Sequence, residues 1–533
     1  MNFRKTASLS IVLIFVFNIS FAQKKAPENW FNLDKKKDNV FGVSTERAYQ
    51  ELLKNKKGKT VIVAVIDGGT DVMHEDLKGM IWVNEKEIPG NGIDDDGNGY
   101  IDDMNGWNFI GGKDGKNVNE DNLEVTRVYA KLKLKYDKAD TNQLSSTEKA
   151  EYFKYQFARK QYLKGKQEGS MYSNLYGNII KGIESIRKNI NKDNITIKDL
   201  REYKTQNPGE AMAQNVIIQS FAKRISGKDS IPFQELITNI SDGKKHFEKQ
   251  VNFNYNYDLD TRKIVGDNYE DISEKYYGNN DVKGPAADHG THVAGIIAAV
   301  RNNKIGMDGI CANAKIMVVR VVPDGDERDK DVANGIRYAV DNGAKVINMS
   351  FGKAFSYNKK AVDEAVKYAV SKDVVLVHAA GNDSKNNDEV DNFPKPYYEN
   401  NERASSWIEV GASSWMKRKE LTAQFSNYGI KSVDVFAPGV DIYSTIPNSK
   451  YASFDGTSMA SPVTAGVVAI IRSYYPNLTA VQVREIIMKS VTPIKKKVYV
   501  PGKQKEKVKL IDISVTGGIV NTYEALKLAE SYK

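Results

Sequence analysis

The chain has 533 residues, more than one domain usually holds, so one enlarged domain or two is the starting expectation. Cys311 is the single cysteine, which excludes an intrachain disulfide and leaves stability outside a cell to the core, a bound metal or both. The net charge of +9 is dispersed, and the lysine-rich stretches at 54–59 and 495–497 lack the interleaved aromatics of a nucleic-acid platform, so no nucleic-acid partner is expected.

Residues 1–22 are organised as a signal peptide: Arg4 and Lys5, an uncharged run over 7–17, then Ser20-Phe21-Ala22 with small-x-small spacing, predicting cleavage after Ala22. The run is short against the roughly 20 residues of a bilayer-spanning helix, and no later segment approaches that length. No Cys stands directly after Ala22, so a lipid anchor is not expected, and the expected product is a monomer without a membrane anchor, exported to the periplasm or the medium.

The apolar, β-branched run 61–66 predicts a buried strand. Asp67 ends it, a costly place for a carboxylate unless a charge or hydrogen bond meets it. Taken alone, Asp67 reads better as a turn or cap residue, and the company of the His289 and Ser458 segments reverses that weighting. Further on, Asp94, Asp96, Asn98, the Tyr100 carbonyl and Asp102 set oxygens at alternate positions, with Gly99 where an EF-type loop bends sharply. They are the expected ligands of a structural calcium ion, although Asn105 stands at the twelfth position, where an EF-hand has Glu. An acidic, solvated turn is the alternative.

Residues 111–280 change character. Lys, Asn, Tyr and Glu abound and strand-like runs are few, predicting a large, mostly helical insertion between residues 23–110 and 281–533. Ser145 and Glu148 have capping-box spacing, predicting a helix through Tyr152, Phe153, Phe157 and Tyr162.

His289 then opens a small-residue helical stretch, with His292 one turn later. Two His at this spacing also fit a metal site, but zinc motifs need a third ligand, and His292 reads better as a packed helix residue. Strand-like runs follow at 315–322, 345–349, 374–377 and 433–436, with helical periodicity at 291–300, 331–342, 359–371 and 462–474. This alternation predicts an α/β fold, doubly wound, with a mostly parallel central sheet and helices on both faces. Ligands bind such sheets beyond the carboxyl ends of the strands, where Asp67 and Asn382 fall. Ser458 stands at a helix entrance, where its N–H lacks a helical partner and is free to face an oxyanion, and Pro462 follows early in the helix. The basic stretch 495–509, carrying Pro501-Gly502, predicts an exposed loop or hairpin before the last helix.

Amide hydrolysis near neutral pH needs an activated nucleophile, a base and oxyanion donors, and Ser458, His289 with Asp67, and the Ser458 N–H are candidates for each. Four segments carry a resemblance: Val65-Ile66-Asp67-Gly68-Gly69, His289-Gly290-Thr291-His292-Val293-Ala294-Gly295, Ala379-Ala380-Gly381-Asn382 and Gly456-Thr457-Ser458-Met459-Ala460-Ser461-Pro462. In that order they resemble the subtilisin-like serine proteases, peptidase S8 type. The resemblance covers about residues 45–110 and 281–533. It implies a serine endopeptidase working through an Asp67–His289–Ser458 triad and an acyl-enzyme, on protein or peptide substrates, with no organic cofactor. It also implies that the Asn382 amide joins the oxyanion hole and that Ser350, Phe351 and Gly352 form the edge that pairs with an extended substrate. Two departures stand out. Gly68 occupies the position where the family usually has a hydroxyl residue, and about forty residues separate Ala22 from Asp67, too few for the family's folded propeptide.

Overall fold

The computed structural model describes residues 26–192, 194–222 and 230–532, so the signal-peptide segment 1–22 lies outside the described residues. They form two compact units, one of residues 26–168 with 249–532 and one of residues 169–248. The larger unit is built on nine strands: β1 Val61–Asp67, β2 Gly106–Asn108, β3 Ala314–Arg320, β4 Val346–Met349, β5 Val375–Ala379, β6 Trp407–Ser413, β7 Val435–Pro438, β8 Thr492–Pro493 and β9 Gly518–Ile519. They lie in the order β8-β9-β7-β6-β5-β4-β1-β3-β2. Every neighbouring pair is parallel except β8 with β9.

Alternation along these strands feeds two cores, as expected of strands buried on both faces. The helices that flank the sheet include α1 Asp288–Ala298, α2 Asp329–Asp341, α3 Lys359–Ser371 and α4 Thr457–Tyr474. Val63, Val65, Val318 and Val377 pack with residues of α1 and α4. Ala64, Ile66, Val319 and Leu376 pack on the other side with residues of α2 and α3. The α/β architecture is the one expected, with four strands, β2, β6, β8 and β9, added to the five read from the sequence. Helices α1 and α4 begin several residues earlier than the periodicity suggested, so His289 and Ser458 lie in their first turns rather than before them. Small residues let α4 approach its neighbours: a Cβ on Gly466 would stand 2.5 Å from Cβ of Ile310.

The helix Ser146–Ile190 runs for 45 residues from the expected capping box. Ser145 N–H donates to Glu148 Oε2 (3.0 Å) and Glu148 N–H to Ser145 Oγ (3.3 Å). The smaller unit has its own core, including Ile179, Ile183, Ile186, Leu200, Ala213 and Ile217. The flanks of the expected insertion belong to the larger unit instead, tied into it by buried ion pairs. These are Arg328–Asp121 (2.8 Å), Lys353–Glu124 (2.7 Å) and Arg262–Asp331 (2.7 Å). The basic stretch near the end folds as the antiparallel hairpin Val498–Val500 and Lys503–Val508. Among the described residues no helix is long and apolar enough to cross a membrane.

Candidate active site

Asp67 is the last residue of β1 and is buried. Its Oδ1 and Oδ2 lie 2.8 and 2.9 Å from Nδ1 of His289, the second residue of α1. A carboxylate only accepts, so Nδ1 carries the proton and Nε2 of the neutral ring keeps its lone pair. Gly290 permits this approach, since a Cβ there would stand 2.2 Å from the Gly69 carbonyl oxygen. Desolvation works to lower the His289 pKa, but the charge and hydrogen bond of Asp67 outweigh it and the value is raised. The missing hydroxyl at position 68 is made good by the main chain: Gly68 N–H donates to Asp67 Oδ1 at 2.7 Å. Behind it, Arg320 Nε donates to the Gly68 carbonyl at 2.9 Å, fixing the turn from a buried guanidinium that the sequence reading did not single out.

Ser458 stands in the first turn of α4. Its hydroxyl donates to the Ser350 carbonyl at 3.2 Å, and among the described residues no hydrogen bond joins it to His289. Pro462 explains a second link between the same residues. Lacking an N–H, it leaves the Ser458 carbonyl without its partner one turn on, and the Ser350 hydroxyl donates to that oxygen at 2.9 Å. Ser350 is itself held by Asn348 Nδ2 (3.0 Å), and Asn348 Oδ1 by the Ser461 hydroxyl (2.8 Å).

Asn382 follows β5 by a short turn. Its Oδ1 accepts from the Thr457 N–H (2.9 Å) and the Thr457 hydroxyl (3.0 Å), an arrangement that assigns the amide orientation and leaves the two Nδ2 hydrogens as donors. The Gly381 N–H donates to the same Thr457 hydroxyl at 3.1 Å. Thr457 was missed in the sequence, although a hydroxyl beside the candidate nucleophile was a signal available there. Ser350, Phe351 and Gly352 continue directly from β4, with the Ser350 carbonyl toward Ser458 and the Phe351 carbonyl 2.8 Å from His378 Nε2. His292 lies apart from this chemistry. Its Nε2 is 3.0 Å from the Ala452 carbonyl, its ring stacks on Phe454, and burial pushes it down to about 3.

In the acidic loop two of the five expected calcium ligands, Asp94 and Asp96, come together with a third carboxylate. Glu87, Asp94 and Asp96 bring ligand atoms within 4.8 Å of one another. Asp102 accepts from the Asn91 and Gly92 N–H groups (3.2 and 2.9 Å). Asn98 is likewise engaged, accepting the Tyr100 N–H at 2.8 Å and donating to Asp103 at 3.0 Å. The Tyr100 ring packs edge-on to Trp107 and Tyr338. Three clustered carboxylates suit a hard divalent cation, with Glu87 a member that local spacing did not reveal.

The subtilase family, Peptidase S8, matches residues 58–509. The chain is 40% identical to the Thermophilic serine proteinase of Bacillus sp. (strain AK1), over 44% of this chain and 53% of that protein, so it spans about half that relative's length. It is 41% identical to Thermitase of Thermoactinomyces vulgaris, over 39% of this chain and 72% of that one. It is 38% identical to Subtilisin DY of Bacillus licheniformis, over 43% of this chain and 77% of that one. A family match across most of the chain, a doubly wound parallel sheet and an Asp–His pair at its carboxyl edge lead to one assignment: the chain belongs to the subtilase family.

Proposed function

We propose that this protein is an exported endopeptidase that cleaves polypeptides through Asp67, His289 and Ser458. The observation that carries the reading is the double contact of Asp67 with His289 Nδ1, which leaves Nε2 as a base with a lone pair. In the reaction, the Ser458 hydroxyl leaves the Ser350 carbonyl and gives its proton to Nε2 as Oγ attacks the substrate carbonyl carbon. Such hydrogen bonds often form only with substrate bound. The Asn382 Nδ2 hydrogens and the Ser458 N–H receive the oxyanion, and His289 returns the proton to the leaving amine. Water then repeats the sequence on the acyl-enzyme. Extended substrate pairs along Ser350, Phe351 and Gly352.

The same reading makes the protein a monomer in the periplasm or medium, without a membrane anchor, acting on proteins or peptides and not on nucleic acid. It gives the cluster of Glu87, Asp94 and Asp96 a structural calcium ion, which takes no part in the chemistry.

A fluorophosphonate tests the assignment, because it labels only a serine with an assembled base. Ser458 in the wild-type chain is expected to be labelled, and Ser458→Ala to lose all cleavage of a denatured protein substrate while keeping its melting temperature. Cleavage retained by Ser458→Ala would overturn the reading.

A further inference from the structure

A buried ionisable pair that this reaction does not use lies behind the substrate edge. His378 of β5 and Glu409 of β6 are register partners on adjacent strands, and they are 0% and 2% exposed. His378 Nδ1 lies 3.0 and 3.1 Å from the two Glu409 carboxyl oxygens, and Nε2 lies 2.8 Å from the Phe351 carbonyl oxygen. A carbonyl and a carboxylate both accept, so a neutral imidazole with its single N–H serves only one of them. The geometry calls for one more proton on the pair, either as imidazolium against carboxylate or as neutral imidazole between glutamic acid and carbonyl. In both forms Nε2–H donates to Phe351.

The surrounding charges keep Glu409 for this partner. Its Oε2 also accepts the Trp407 indole N–H at 2.7 Å, and its main-chain N–H donates to Asp434 at 2.9 Å. Asp434 in turn is paired with Arg403 and with Arg484. Burying ionisable groups is a poor route to stability, since apolar residues of the same volume often serve as well. What the pair fixes is a peptide plane. The Ser350 carbonyl faces the Ser458 hydroxyl and the next carbonyl, Phe351, faces away to His378, the alternation of an extended strand.

We propose that Glu409 and His378 are positioning residues for substrate binding: by holding the Phe351 carbonyl from behind, they set the orientation in which Ser350 and Gly352 meet an extended polypeptide. The proposal rests on the endopeptidase reading above and names a determinant of recognition that lies outside the triad and oxyanion donors.

The test uses the full chain with two substrates, p-nitrophenyl acetate, which carries no amide to pair with the edge, and the p-nitroanilide of an N-acylated tetrapeptide. His378→Leu removes the donor, and His378→Gln keeps an amide N–H in its place. His378→Leu is expected to raise KM for the tetrapeptide about tenfold, with ester hydrolysis and fluorophosphonate labelling rates unchanged. His378→Gln is expected to restore most of the loss. NMR of the wild-type protein labelled with ¹⁵N-histidine is expected to find His378 Nε2 protonated, a readout that stands even if His378→Leu fails to fold. Equal losses on both substrates, no loss on either, or an unprotonated Nε2 would overturn the proposal. A wild type inert to both substrates and to fluorophosphonate would overturn the endopeptidase reading and this inference with it, whereas an active wild type with indifferent variants would remove this inference alone.

Discussion

Asp67 holds one ring nitrogen of His289 with both carboxyl oxygens, and the charge does more than orient. It raises the imidazole pKa, and a general base works only when unprotonated, so activity should rise with pH through a value above the ordinary histidine figure of about 6.5. Asp67→Asn removes the charge. We expect kcat to fall by about 10⁴, the order known for the same change in an established Ser-His-Asp protease, and the acid limb of kcat/KM to move to lower pH. A pH–rate profile checks both. Asn382→Ala should lower kcat by about 10² to 10³ with KM little changed, a split that steady-state kinetics resolves. Asp67, His289 and Ser458 were legible as candidates because each sits in a short segment whose local form suits its chemistry, whereas Asn382 was reached through the family resemblance of its segment. Thr457, Arg320 and the pair His378 and Glu409 were not singled out, because what gives them a role is a partner many residues away: Arg320 meets Gly68, and Glu409 meets His378.

At the scale of elements, helix α4 shows how tightly the support of Ser458 is packed. Sixteen of its positions are buried, and Gly466 faces Ile310 with no room for a methyl group. Gly466→Ala is therefore expected to cost about 1–3 kcal/mol, read as a lower urea midpoint with an unchanged m-value, because the helix gains propensity but must shift against its neighbour. The strands found from sequence were continuous apolar runs. Strand β6 escaped because Glu409 interrupts its run, and a carboxylate in a central strand reads as a boundary until the imidazole that satisfies it is known. The early starts of α1 and α4 were hidden for a related reason, since their first turns carry Asp288, His289 and Ser458 rather than apolar residues at helical spacing.

For the whole molecule, the alternation of strand and helix made the doubly wound sheet legible, while the extent of the insertion was not, because the residues at its flanks are polar yet buried. Removing residues 121–270 would strip Arg328 and Asp331 of their buried ion partners, at about 3–5 kcal/mol for each broken pair against a usual total of about 5–15 kcal/mol. That deletion should yield no folded protein. Replacing residues 169–248, which hold a core of their own, by a short Gly-Ser linker should still give a chain that fluorophosphonate labels. Chelation of divalent cations should lower the melting temperature if Glu87, Asp94 and Asp96 hold calcium, and an unchanged melting temperature and activity would count against that ion. Finally, the position of β1 has a consequence for biosynthesis. It lies between β3 and β4, strands encoded after the insertion, so a ribosome adding about 5–20 residues per second leaves Val61–Asp67 unpaired for on the order of tens of seconds. During that interval a nascent chain offers an apolar strand with two open edges, and a holding chaperone is the natural companion of its synthesis.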